Sequence, residues 1–296
     1  MTTASAGFIL EGGVVRSQSD GVVASRRENC FCRWWMALEK LTRPPIVEVI
    51  CGIMFDELQG MDPLVLGVYW DRRKDDYPGH QILPAIGAPD LVLGVGQGYP
   101  PTRTWFISKD DSLVLQLQSD RFYLNWRERG GTYPRFSQKG GLLEQAQDEF
   151  GRFADFCATT LSQRPTPRAI ELGKTDHFVR GRDFTDSADL AIMIPTLQPA
   201  LSLTTTAGPE IALNLREARE GGMLRLSAQT VMVLKAGGQR DLVLRMETTV
   251  VNRLPETPNV GDIATAFTDA NEEANRVFDA LVPRDQRDRR FQGGHA

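Results

Sequence analysis

The chain has few of the residue types that most often carry chemistry. Only three of its 296 residues are histidines, at positions 80, 177 and 295, and only four are cysteines. The GxSxG serine elbow, the HExxH zinc helix and the Walker phosphate loop are all missing from the sequence. These absences disfavour the common hydrolase classes, and we expect no cofactor and no metal.

The cysteines and the lack of long apolar runs indicate the cellular compartment of the protein. Cys51 lies in an apolar strand pattern and Cys157 on the apolar stripe of a helix, so they do not resemble a disulfide framework. The spacing of Cys30 and Cys32 does not suit a zinc knuckle. No apolar run approaches the roughly 20 residues of a membrane helix, and no signal sequence is visible. The sequence therefore predicts a cytoplasmic protein without a membrane partner.

The charge balance bears on the kind of partner. Hydrophobic residues make up 41% and charged residues 24% of the chain, and the formal net charge is −4. A net negative charge disfavours nonspecific binding to nucleic acid, although it leaves room for a local basic patch. The expected partner is another protein or a second copy of this chain.

Residues 1–35 differ from the rest in having no sustained periodicity. A start at Met36 leads within a few residues to Pro44-Pro45 and an apolar strand, which is how a folded domain commonly begins. We therefore predict that residues 1–35 are a disordered leader or a mis-called start. The folded region is expected to comprise two halves, 36–164 and 168–291.

The most particular pattern is a β-hairpin over residues 113–127. Apolar and polar residues alternate on both sides of Ser119-Asp120, which suits a two-residue turn. That turn would pair Gln118 with Arg121 and Leu113 with Trp126, and so place the apolar side chains on one face. The other face would then carry the polar side chains.

The remaining elements form the same order twice. In the first half we predict a strand at 46–55, a helix at 63–74 capped by Asp62, strands at 103–108, 113–118 and 121–127, and a helix at 137–161. Residues 79–101 are interpreted as a loop with a short strand at 91–93. In the second half we predict a strand at 168–179, a helix at 186–193, strands at 211–216, 223–235 and 241–251, and a helix at 262–282.

Both halves are thus predicted to be β-α-β-β-β-α units. Antiparallel strand groups, each followed by a long helix, indicate an α+β fold with a largely antiparallel curved sheet and helices on one face. In topology this is like the duplicated TATA-binding-protein-like or helix-grip saddle. Such an analogy carries no function with it.

Several motifs resemble a sporadically distributed family of uncharacterised bacterial proteins. They are PPIVEV at 44–49, WF at 105–106, QLQSDRF at 116–122, NWR at 125–127 and YPRF at 133–136. The resemblance covers residues 36–291 and departs at KTDH, 174–177, where a tyrosine and an asparagine are expected. It implies boundaries but no activity, and the family's patchy distribution suggests an accessory role in a mobile-element or defence cassette.

Three candidate catalytic or ligand features have simple structural alternatives. His177 beside Asp176 suggests an acid/base pair or a metal ligand, but neighbours on a strand point to opposite faces. The glycines at 94, 96 and 98 are interpreted as a turn because Tyr99-Pro100-Pro101 blocks a phosphate-binding helix. Glu171 and Lys174 are interpreted as a surface ion pair and not as a nuclease pair.

The polar hairpin face is the better candidate for a site. Its amide, phenol and guanidinium groups suit recognition of a peptide, a nucleotide or a nucleic-acid strand, and the alternative is a solvated or covered face. An arginine and an aromatic residue from the YPRF motif lie nearby. The candidate binding residues are Gln116, Gln118, Tyr123, Asn125, Arg127, Tyr133 and Arg135.

Three functions compete. The leading hypothesis is a non-enzymatic binding or assembly protein, the second a nucleic-acid-binding saddle, and the third a hydrolase that uses His177. Because no nucleophile with an adjacent base accompanies the candidate residues, we predict recognition and no catalytic residue.

Overall fold

The computed structural model describes residues 41–86, 102–130, 133–201, 211–234, 238 and 240–292. The predicted leader, the predicted strand at 91–93, the glycine turn at 94–98, Cys30, Cys32 and His295 lie outside them. Among the described residues, no helix is both long and apolar enough to cross a bilayer.

One curved, open, antiparallel sheet of nine strands organises the described residues. The strands are β1 (Ile46–Phe55), β2 (Gly79–Pro84), β3 (Thr102–Ile107), β4 (Leu113–Gln118), β5 (Arg121–Arg127), β6 (Pro167–Val179), β7 (Ala212–Arg219), β8 (Gly222–Leu234) and β9 (Arg240–Arg253). Their order is β2-β3-β4-β5-β1-β6-β9-β8-β7. The two predicted halves therefore meet where β1 pairs with β6.

The helices are α1 (Pro63–Arg73), α2 (Leu142–Thr160), α3 (Ser187–Met193), α4 (Gln198–Leu201), α5 (Val260–Leu281) and α6 (Arg284–Phe291), with a short 3₁₀ turn at Pro195–Leu197. Asp62 caps α1 as predicted, and its carboxylate accepts from the N–H groups of Leu64 and Val65. The α+β prediction is confirmed.

The core lies between the helices and one face of the sheet. Alternate residues of β1 and β5, such as Cys51 and Leu124, pack with Phe153 of α2 and Phe267 of α5. A second cluster joins Phe178 of β6 to α3, α5 and α6. Cys51 and Cys157 are buried free thiols, as an apolar role requires.

The predicted hairpin register is confirmed. Gln118 pairs with Arg121, Leu117 with Phe122, Leu115 with Leu124 and Leu113 with Trp126. Because facing residues in an antiparallel pair share a face, the apolar set turns to the helices and the polar set away from them.

The prediction of a loop over residues 79–101 was wrong for residues 79–84, which form the edge strand β2. The glycine at its start and the proline at its end resemble loop composition, but an edge strand does not need every backbone N–H for pairing. One further boundary differs from prediction. Helix α2 begins only after Gly140 and Gly141, since Gly140 has a positive φ of 71°. Helix α5 ends before Pro283 as predicted, and the short helix α6 that follows Pro283 was not predicted as a separate element.

Candidate functional site

The five candidate residues of the hairpin lie together on the face of the sheet that carries no helix. Gln116 faces Tyr123 across β4 and β5, and Asn125 and Arg127 follow Tyr123 at two-residue steps. The same face continues across β1, where Glu48 stands opposite Arg127 and Gly52 opposite Tyr123. The predicted face assignment is therefore correct.

These side chains bond mainly to one another and to their neighbours. Arg103 donates to the Gln116 amide oxygen at 3.2 Å, and Asn125 donates to Glu48 at 2.9 Å. The Tyr123 hydroxyl lies 3.4 Å from a carboxylate oxygen of Glu171. Gln116, Gln118, Tyr123 and Asn125 are buried. The residues predicted to recognise a partner thus form an internal polar network.

Trp105 on β3 also belongs to this network, although it was not among the candidate binding residues predicted from the sequence. The guanidinium carbons of Arg103 and Arg127 lie 5.3 and 4.8 Å from the centre of its ring. Arg127 also approaches Asp111 at 3.3 Å and Glu48 at 3.7 Å. The alternation of side chains along β3 could have identified Trp105. It pairs in register with Gln116 and therefore lies on the same face of the sheet.

Gly52 is required for the network to close. A Cβ atom at this position would lie 2.4 Å from the Tyr123 ring. We expect Gly52→Ala to lower the free energy of unfolding by about 1–3 kcal/mol, because it displaces a buried ring. Chemical denaturation of Gly52→Ala, Tyr123→Ala and the double variant measures this. If the ring clash is the cause, the double variant is less destabilised than the sum of the single ones, and simple additivity contradicts it.

Tyr133 and Arg135 do not join the other five candidates. The Tyr133 ring packs 5.1 Å from the ring of Trp126, which belongs to the core on the helix side of the sheet. Arg135 is exposed, and its carbonyl accepts from the N–H of Leu142 at the start of α2. Tyr133 therefore lies on the helix side of the sheet, and Arg135 lies in an exposed segment before α2, apart from the other five candidates.

The other motifs of the sequence are also separated by strand alternation. Asp176 pairs in register with Met246 on the helix side, whereas His177 pairs with Arg245 on the opposite face. Burial, Arg245 and Arg182 lower the pKa of His177 to about 4, so His177 is neutral at pH 7. Glu171 likewise faces away from Lys174, so the predicted surface ion pair is wrong.

The second half presents a different, more accessible surface. We use the term open face for the exposed polar side chains on the helix-free side of β7 and β8, which are Asn214, Arg216, Arg225 and Gln229. Arg216 and Arg225 stand opposite each other in register. No carboxylate oxygen of the described residues lies within ion-pair distance of either one. Arg216 and Arg225 are therefore a local pair of positive charges, whereas Arg245 on the same side of the sheet is paired with Glu247.

The described residues contain no group of three or more His, Cys, Asp or Glu side chains placed to hold a metal ion. No family model matches the chain, and no curated protein matches it.

Proposed function

We propose that this is a non-enzymatic binding or assembly protein that holds a protein partner at the β7 end of its sheet. The observation that carries the proposal is an asymmetry between the halves. Strand β3 is flanked by β2, but β7 pairs with β8 alone among the described strands and is exposed along most of its length. A sheet edge of this kind is a template for a further strand.

We further propose that the two halves are a duplicated unit, in the manner of a TATA-binding-protein-like or helix-grip saddle. The strand order supports this: outward from the centre it runs β1-β5-β4-β3 in one direction and β6-β9-β8-β7 in the other. In each half a helix follows the central strand and a long helix follows the strand beside it. Strand β2 has no counterpart beyond β7 in the described parts of the chain.

The backbone of β7 can accept a strand. The Thr230 N–H donates to the Ile211 carbonyl at 3.0 Å, and hydrogen-bonded pairs alternate along an antiparallel ladder. Ala212, Asn214, Arg216 and Ala218 therefore direct their N–H and C=O groups away from β8, towards the edge. Added strands gain affinity from such groups and specificity from the flanking side chains.

The side chains beside that edge define the partner's chemistry. Arg216 and Arg225 lie on one face of β7 and β8, and Leu215, whose exposure is 54%, lies on the other. An extended segment with acidic residues on one side and apolar residues on the other complements both faces. Pairing of two β7 strands from two copies would instead bring like charges together.

Two changes test the edge. Asn214→Pro removes one outward N–H without affecting the β7–β8 ladder, and the double substitution Arg216→Glu, Arg225→Glu reverses the charge. The tagged chain is purified from its native host together with the proteins bound to it. We expect the recovered amount of at least one of these proteins to fall about tenfold or more with both variants. Quantitative mass spectrometry of the recovered proteins measures this.

The matched control is Arg276→Glu with Arg289→Glu, which changes two exposed arginines of α5 and α6. The partner should be retained by this variant, and all variants should melt as the wild type does. Equal recovery of every protein with the edge variants and the control would contradict binding at β7. Loss with the control alone would move the binding surface to the helices.

A nucleic-acid-binding saddle is the second candidate, and Arg216 and Arg225 on the helix-free face favour it. The net charge of −4 weighs against it. Binding of labelled single- and double-stranded oligonucleotides that weakens steeply with salt, and is lost in the charge-reversed variant, would support this alternative.

A further inference from the structure

A small cavity lies on the helix side of the sheet, between β6, β9 and α5. Its volume is about 50 Å³, more than a single water molecule requires. Its polar lining consists of Tyr133, Lys174, Asp176, Thr248, Asn271 and Asn275. This cavity is on the opposite side of the sheet from the open face, because Lys174 and Asp176 alternate with the residues that turn towards that face.

Two hydrogen-bond acceptors in this lining have no partner. Asp176 is only 5% exposed, and no described residue lies within hydrogen-bond or ion-pair distance of its carboxylate, although Lys174 interacts with it electrostatically over a longer range. The side-chain oxygen of Asn271 is buried and also lacks a hydrogen bond. An unpartnered buried acceptor costs free energy, which a ligand carrying N–H donors would offset.

The charge of the cavity restricts that ligand. Lys174 lies two residues before Asp176 on the same face of β6, and its ammonium donates to the Asn275 oxygen at 2.5 Å. A ligand with a positive charge alone would be repelled by Lys174, and one with a negative charge alone by Asp176. A ligand that carries both charges avoids either repulsion and adds no net charge to a buried site.

The surroundings restrict its size. Phe136, Phe278 and Ile46 complete the wall and leave no room for a nucleotide or a large side chain. Asp279 of α5 interacts electrostatically with Lys174 and forms an ion pair with Arg287 of α6, so the charges of Asp279 and Arg287 largely neutralise each other.

We propose that this cavity binds a small zwitterionic amino acid, of the size of glycine or alanine. Its ammonium group donates to Asp176 and Asn271, and its carboxylate lies at the end of the cavity formed by Lys174 and Asn275. No bond is made or broken. The site is independent of the β7 edge, so either can fail without the other.

The test is calorimetric titration of the full chain with glycine, alanine, methylammonium and acetate, each to about 10 mM. We expect glycine or alanine to bind, and methylammonium and acetate to bind at least about tenfold more weakly. Asp176→Asn removes the negative charge without changing the shape and should weaken amino-acid binding about tenfold or more. Asp269→Asn, an exposed position on α5, should leave it unchanged.

Thermal melting with and without glycine provides the second measurement, because a ligand that binds only the folded state raises the melting temperature. Glycine also stabilises proteins nonspecifically, so the relevant quantity is the shift of the wild type beyond that of Asp176→Asn. Equal shifts in both proteins, together with no calorimetric signal, would show a cavity that holds only water and overturn the proposal. Methylammonium binding as tightly as glycine would overturn the zwitterionic assignment.

Discussion

Replacing Phe153 by alanine is expected to lower the free energy of unfolding by about 3–5 kcal/mol. Phe153 is fully buried on α2, with ring centres of Phe55, Tyr69 and Phe122 at 6.0, 5.8 and 6.0 Å. These rings belong to β1, α1 and β5, so one side chain joins α2 to three other elements. The alanine variant leaves a cavity that these elements can fill only in part.

Urea denaturation followed by circular dichroism measures the loss. Asp148→Ala is the control, since Asp148 lies exposed on the same helix and its removal should change the stability by less than about 0.5 kcal/mol. If Phe153→Ala cost under about 1 kcal/mol, the packing of α2 against the first half of the sheet would be wrong.

Asp176→Asn is expected to stabilise the protein at pH 8, by an amount on the order of 1–4 kcal/mol. Burial raises the pKa of Asp176 from its usual 3.8 to about 7, against the opposing effect of Lys174. The folded wild type therefore binds more protons than the unfolded chain between about pH 4 and pH 7. Its stability from this group is full below pH 4 and is lost as the pH rises through 7.

The asparagine variant has no carboxylate to ionise, so its advantage should grow from pH 5 to pH 8. Denaturation of both proteins at the two pH values gives this difference. The lowered pKa of His177 makes acid destabilising, but that contribution is common to both proteins and cancels. A variant that is equally stable relative to the wild type at both pH values, or less stable at pH 8, would contradict the burial of an unpartnered carboxylate. Asp269→Asn should show no such trend.

Local patterns were sufficient to predict the hairpin and the first helix. A two-residue turn at Ser119-Asp120 determines every pair of β4 and β5, and Asp62 before Pro63 determines where α1 begins. Both depend on residues that are neighbours in sequence. The opposite orientations of Asp176 and His177 also follow from strand alternation alone.

Features that depend on distant residues could not be predicted in this way. The burial of Asn125 depends on Glu48, and the position of Trp105 depends on how β3 pairs with β4. The cavity at Asp176 exists only because α5, about 100 residues later, lies over β6. The composition of β2 led to a wrong prediction, because this short edge strand has the glycine and proline that are typical of a loop.

The pairing of β1 with β6 in the middle of the sheet has a consequence for dissection of the chain. A cut near residue 165 would not release two independent modules, because each fragment would expose the central strand that the other normally covers. Each fragment alone is therefore expected to be poorly soluble. Coexpressed fragments should associate again through the pairing of β1 with β6, so the protein is a candidate for a split reporter.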